Sequence, residues 1–555
     1  MKKSRVLALV LAAALLTSGC GTQETGKKDS SEEVEAKEVD LSEKMTFTAF
    51  QQADDNPEFT YDNNPVLLYL YDKFNIEIDW QLPPQGSEAE QLTLMLGTGD
   101  YTDLIDLSFN RENLTTLCDD GAIWNLTSYI EAYMPNYYAF LNDPANQDVK
   151  SALSDDEGNI YTLASINEAP KQWGGLMYRY DILDAMTGGN IAFPSGNENP
   201  ATIQDWDYML PLMKQYFEAS GMSETACLIL PAKGYFENGA LLEGFGIGGT
   251  DYVDKDGNVQ YGIAQDAFYD YLVKMKEWYD EGYIYADFAS RTQDLFYLPN
   301  TALTYGGAAG IWYGFAGQLG GAMSLPDYGL LVKAKPVASP STDDHDMIGT
   351  TYVSRAMGNQ GMAVSTACDE DKLIRILTAF DYLYTEDGGA TRTMGLSAEQ
   401  GASESEGYLN YGLTNGVREN GTTTWTKEAD AMADKEVYDF GANRLPGLSV
   451  DVPARSVDLE DGVWLEEYGD EVWMTNGSEN AFPYTVSFTP DETNEINTLS
   501  TNMQDYANAM IVNFIMGREE LTEDRFKAYQ DQLNTLGLER YLEIKQAAYD
   551  RYMSR

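Results

Sequence analysis

Apolar and polar positions alternate over Met45-Thr46-Phe47-Thr48-Ala49-Phe50, which predicts a strand. A polar loop, Gln51 to Asn64, follows. Val66, Leu67, Tyr69, Leu70 and Phe74 then recur at helical spacing, and Ile76-Glu77-Ile78-Asp79-Trp80 alternates again. The next helix runs from Glu88 to Leu96, with Leu92, Met95 and Leu96 on one face and Gly97 and Gly99 closing it. Asp103 to Leu107 is a short strand. Strand, helix, strand, helix, strand predicts a parallel α/β sheet. Ligands of such sheets sit beyond the carboxyl ends of the strands. That rule points to Ser108-Phe109-Asn110-Arg111 and to the loop after Phe50.

The same grammar continues. Leu176 to Tyr180 predicts a strand, and a helix starts at Ile203. Phe268, Tyr271, Leu272, Met275 and Tyr279 form one stripe of another helix. Asp254 to Asn258 reads as a hairpin turn between Tyr252-Val253 and Val259-Gln260-Tyr261. Seven glycines between Gly306 and Gly321 surround Ile311-Trp312-Tyr313 and predict an open loop presenting two aromatics. The C-terminus is helical, with Ile496, Leu499, Met503, Tyr506, Met510 and Phe514 in register. Thr522 caps the next helix, and Leu538 to Tyr552 forms the last.

The N-terminus reads differently. Lys2, Lys3 and Arg5 precede an apolar run from Val6 to Leu16. That run is shorter than the roughly 20 residues a membrane span needs, and suits an export signal. It ends in Leu16-Thr17-Ser18-Gly19-Cys20, which resembles a bacterial lipobox in which Cys20 carries the lipid (palmitate among its acyl groups), although Thr17 stands where Leu is preferred. Residues 21–44 are polar and read as a flexible tether.

Composition narrows the function. The chain has 555 residues, 89 acidic against 36 basic, and a net charge of −53. Such a surface repels phosphate backbones, which excludes nucleic acid as a partner. The single histidine, His345, removes most histidine-based catalysis and multi-histidine metal sites. Cys118, Cys227 and Cys368 fit no metal spacing and read as small core residues. An extracellular glycosidase needs two carboxylates about 5–9.5 Å apart, a condition that 89 acids satisfy by chance and no local motif supports.

Several blocks carry a resemblance to a known family. They are Leu92 through Asp103-Leu104, Gly121-Ala122-Ile123-Trp124-Asn125-Leu126-Thr127 with Met134-Pro135-Asn136, and Gly158-Asn159-Ile160-Tyr161. Tyr178-Arg179-Tyr180-Asp181-Ile182-Leu183, Trp278 through Gly282-Tyr283-Ile284, and Tyr541 through Tyr552 complete the set. In this order, behind a lipobox, the chain resembles the extracellular solute-binding proteins, family 1: the lipoprotein sugar-binding components of bacterial ABC importers. The resemblance implies a two-lobed α/β periplasmic-binding-protein-like fold (type II) with a hinge and a C-terminal helical segment. It implies a monomer held by its lipid at the extracellular face of the cell membrane, which binds an oligosaccharide between the lobes and passes it to permease subunits. It implies no enzymatic activity and no cofactor; a peptide or other non-sugar solute is the alternative ligand. The implied division is 1–20 signal, 21–44 tether, 45–165 with 293–345 as lobe 1, and 166–292 with 346–555 as lobe 2. The calcium loop of some relatives would fall at Glu218 to Glu224, which has too few ligands. Asp254 to Val259 lacks the glycine that a calcium loop needs at its sixth position.

A sugar presents apolar C–H faces and a rim of hydroxyls, so aromatic and polar side chains at strand ends are the candidates. They are Trp173, Trp312 and Tyr313 for stacking, with Phe109, Asn110, Arg111, Asp54, Asp55, Arg444 and Trp464 around them. Trp206, Trp278 and Trp473 read as packing residues.

Overall fold

The computed structural model describes residues 34–52, 61, 64–110, 113–168, 172, 174–230, 241–290, 303–304, 306–315, 334–349, 355–356, 361–396, 400, 416–419, 422–425, 444–450, 458–460, 463–483 and 485–555. The strands of the two main sheets are, in chain order, β1 Met45–Phe50, β2 Ile76–Gln81, β3 Leu104–Asp106, β4 Gly174–Arg179, β5 Ala226–Leu228, β6 Ala309–Phe315, β7 Ala334–Val337 and β8 Met362–Val364. The helices that frame them are α1 Pro65–Phe74, α2 Glu88–Thr98, α3 Ile203–Ser220, α4 Phe268–Asp280, α5 Glu370–Asp381, α6 Leu465–Trp473, α7 Pro490–Ile515, α8 Glu523–Thr535 and α9 Leu538–Met553.

The first sheet has the order β8-β3-β1-β2. β1 lies parallel to both β2 and β3, and β8 returns antiparallel beside β3. The alternation of β1 buries Phe47 and Ala49 in one core and turns Phe50 into another on the opposite face. Asn64 starts α1 by accepting the Leu67 N–H at 3.0 Å, with Pro65 at the first helical position. Asn75, at φ 49°, ends the helix and turns the chain into β2.

The second sheet has the order β7-β4-β6-β5. α3 begins with a reciprocal cap between Thr202 and Asp205. Trp206 on α3 stacks on Trp278 of α4 with ring centroids 6.0 Å apart, and both are buried as packing residues. The predicted hairpin forms as Asp251–Val253 against Val259–Tyr261. Helices α7, α8 and α9 complete this core through Met503, Ile511, Phe514, Tyr529 and Ile544. Thr489 and Thr522 cap α7 and α8.

The strand pairing corrects the expected division of the chain. β6 and β7 hydrogen-bond to β4, so the described part of 293–345 belongs to the second lobe. β8, α5 and Gly447–Ser449 pack with the first lobe, so that part of 346–555 does too. The reason is an open edge: β3 needs a neighbour on its far side, and the returning chain supplies β8 there. The chain therefore crosses between lobes three times, after Asn167, after Gly349 and after Ser449. Ser165–Asn167 pairs in parallel with Gly447–Ser449. The Asn167 N–H donates to the Arg355 carbonyl at 2.8 Å, and the Glu168 N–H to the Ser449 carbonyl at 2.9 Å. The buried Arg392 guanidinium ties Leu445, Ser449 and Ser165 together, and burial pushes its pKa down to about 10.

Two other contacts shape the frame. Arg551 and Arg555 of the second lobe reach Asp156 of the first at 2.9 and 2.8 Å. The expected tether is also shorter than 21–44. Val34 and Val39 pack on the first core, and the buried Arg375 holds the carbonyls of Asp40 and Glu43. Those few apolar residues, overlooked in a polar stretch, dock its second half.

Candidate functional site

β1 and β3 end side by side, and a polar cluster closes over their carboxyl ends. Gln51 is buried, and its Nε2 donates to the Arg444 carbonyl at 3.0 Å while its Oε1 accepts the Gln52 N–H at 3.2 Å. Arg444 Nη1 donates to Gln52 Oε1 at 3.0 Å. Asp106, the last residue of β3, is 8% exposed. Its Oδ1 accepts the Ser108 N–H at 3.0 Å and the Ser108 hydroxyl at 2.6 Å. Burial raises the Asp106 carboxyl above its ordinary value, against the opposing pull of Ser108, the Gln52 backbone N–H and the Arg444 charge. Phe109 is half-buried against the core beneath Phe50, and the Asn110 N–H donates to the Leu107 carbonyl at 2.9 Å. The cluster offers amide, carboxylate and guanidinium groups together, a surface able to both donate to and accept from hydroxyls.

The aromatic candidates of the second lobe are arranged otherwise. Ala309–Phe315 is a strand and not an open loop. Successive residues of a strand face opposite ways. Trp312 accordingly points into a core with Met177, Ala309 and Trp473, at 2% exposure, while Tyr313 packs on the other face against the main core. The two rings cannot stack on one ligand, and Trp312 is a packing residue. The Tyr313 hydroxyl lies 3.4 Å from the Gly174 carbonyl, and burial pushes its pKa up to about 12. Trp473 Nε1 donates to the Leu176 carbonyl at 2.8 Å, with its ring lying directly over Gly175. A Cβ added to Gly175 would sit 2.4 Å from that ring.

Solved structures share this architecture. A solute-binding protein from Bifidobacterium longum infantis, described as HMO-binding and ABC-transporter-associated, superposes with a TM-score of 0.67 at 17% identity, covering 92% of this chain and 99% of its own. The chain has the solute-binding-protein fold. The Streptococcus pneumoniae ABC-transporter substrate-binding protein FusA, solved with kestose, gives 0.62 at 18% identity over 92% of this chain and 99% of its own. The S. pneumoniae N-glycan transport solute-binding protein NgtS gives 0.53 at 14% identity, over 92% and 100%. No family profile and no curated protein matches the sequence.

Within this solute-binding-protein fold, Phe109, Asn110 and Arg444 lie at or beside the carboxyl ends of the first sheet, where parallel sheets bind ligands. Trp312 does not. Asp54, Asp55, Arg111, Trp173 and Cys20, and the side chain of Trp464, lie outside the described residues. Gln51 and Gln52 begin the loop after Phe50 to which the strand-end rule points, without being singled out by it, and Asp106 lies just before the other segment that the rule indicates. Their signal was a polar residue at the very end of an apolar strand.

Among the described residues, no group of three or more His, Cys, Asp or Glu side chains is placed to hold a metal ion. Asp254 uses its carboxylate to close its own hairpin, accepting the N–H groups of Asp256 and Asn258 at 2.9 and 2.8 Å. His345 pairs with Asp270 at 3.0 Å. Cys227 and Cys368 are buried and Cys118 is half-buried.

Proposed function

We propose that this protein captures an oligosaccharide between its lobes and delivers it to the permease of an ABC importer, without chemistry on the sugar. The observation that carries the reading is the architecture itself: two α/β lobes joined by three laced crossings, with a buried donor–acceptor cluster at the carboxyl edge of the first. Closure of such lobes about a hinge buries a ligand and creates the surface a permease reads. The similar structures described as binding HMO and as solved with kestose support a sugar as the ligand class.

Attachment at the outer membrane face through Cys20 belongs to the same reading, as does a monomeric state. With residues 34–44 docked on the first lobe, the spacer from Cys20 comprises residues 21–33. Cys20→Ala should release the protein into the medium; equal membrane retention would refute the anchor.

The test of function is a melting-temperature screen of the purified chain against neutral and acidic oligosaccharides and peptides. A ligand that binds only the folded state raises the transition by mass action. One sugar class should do so and be recovered uncleaved. A shift only with peptides, or hydrolysis of the sugar, would overturn the proposal.

A further inference from the structure

A second concavity adjoins the polar cluster on the far side of β1. It has a volume of about 480 Å³ and lies between the end of β2 and α2. That is within the roughly 300–1,000 Å³ of small-molecule sites. Leu82, Pro83, Leu94 and Met95 give it an apolar floor, and Gln81, Gln91, Thr98 and Asp100 a polar rim.

Its composition is not what packing requires. α2 turns Glu88 and Leu92 inward, so its packing face is already used. Leu94 and Leu82 are nonetheless 58% and 43% exposed, among the most exposed large apolar side chains described. Both converge on this one concavity, and exposed apolar side chains gathered in one place mark binding surfaces. β2 leaves Glu77, Asp79 and Gln81 uncovered on the same side.

The concavity adjoins the cluster along the sheet. Phe50 lines it, Gln81 pairs with Phe50 across the sheet, and the Gln51 N–H donates to the Gln81 carbonyl at 3.2 Å. From β3, where Asp106 sits, to β2 is two inter-strand spacings, roughly 10 Å. That is a reach suited to linked sugar rings lying across the strand ends.

We infer that this concavity is an extension subsite for a further neutral sugar ring of a chain whose inner rings occupy the cleft. The inference rests on the oligosaccharide reading above. Leucine and proline surfaces match the C–H face of a ring, and two amides, a hydroxyl and a carboxylate match its hydroxyls. Among the described residues no cation lines the concavity, and Asp100 on its rim opposes an anionic ring.

The experiment is calorimetric titration of the full chain with malto-, xylo- and fructo-oligosaccharides of increasing length and with oligouronates, for wild type, Leu94→Asp and Gln81→Ala. In the class that binds, wild-type affinity should rise with length and then level. Leu94→Asp should remove that gain, roughly tenfold, while the shortest ligand binds unchanged. Both side chains are exposed, and an unchanged melting temperature confirms the fold. Variants that bind every length like wild type, or lose an equal factor at every length, would overturn the subsite while leaving the cleft reading standing. Oligouronate affinity equal to that of neutral chains would overturn the assigned ligand class. Absence of binding by any sugar would overturn both readings.

Discussion

The two sheets end in opposite ways. At β6 of the second lobe, Trp312 and Tyr313 are absorbed into packing on the two faces of one strand. At the carboxyl edge of the first lobe, polar groups from three distant stretches, Gln51-Gln52, Asp106-Ser108 and Arg444, are drawn together over the strand ends. Side-chain type alone therefore misleads: large aromatics beside glycines became core, while modest amides at strand ends became the candidate site. Position in the sheet decides which residues remain available to a ligand.

The sharpest way to break this contrast is Trp312→Ala. If Trp312 is core, its removal should cost about 3–5 kcal/mol, measured by denaturant unfolding. A folded, equally stable variant with lost sugar affinity would reverse the assignment. Gly175→Ala should come next, because its Cβ would meet the Trp473 ring at 2.4 Å. Overpacking of this kind costs about 1–3 kcal/mol, and a neutral result would show that Trp473 moves freely.

Asp205→Ala should cost about 1–2 kcal/mol by removing the Asp205 half of the reciprocal cap and leaving the Ser195, Ala201 and Thr202 N–H groups without their acceptor. Burial alone would raise this carboxyl, but N–H donors at Ala201, Ser195 and Thr202 outweigh it and hold the pKa below its ordinary value. The stability it contributes is present above the unfolded carboxylate pKa and is lost as pH falls through the depressed folded one. The variant's unfolding free energy should lack that acid-side decline.

Asp106 has the opposite sign and a smaller effect. Its folded pKa is raised, so ionisation works against the fold. Stability should fall as pH rises from the ordinary carboxylate range through the raised value, and Asp106→Asn should flatten that part of the profile. A profile identical to wild type would show that the carboxyl is not desolvated as described. Smallest is Asp156→Asn, which removes the partner of Arg551 and Arg555 between the lobes. Partly exposed pairs of this kind are worth about 1 kcal/mol or less, and the loss should shrink as salt is added.

Much of the frame was legible in the chain. The alternation at Met45–Phe50 and the stripes of α4 and α7 predict elements that the structure contains, because their apolar positions repeat at the period of the element. What could not be read was the partnership of distant segments. Nothing local to Met362–Val364 says that it pairs with β3, nor that Arg444 meets Gln52, since both depend on which sheet edge stays open. Ala309–Phe315 failed for a related reason: its glycines suggested a loop, yet the neighbouring β5 backbone needs a small residue at Gly310, where a Cβ would lie 2.7 Å from the Cys227 carbonyl oxygen.

The central claim is that the carboxyl edge of the first sheet holds the ligand. Arg444→Ala tests it most directly, because the change keeps the backbone carbonyl that Gln51 uses and removes the side chain that carries the guanidinium. Calorimetric titration with the sugar class that stabilises wild type should show affinity reduced by roughly tenfold or more, with the melting temperature of the free protein unchanged. Affinity equal to wild type in that folded variant would contradict the account.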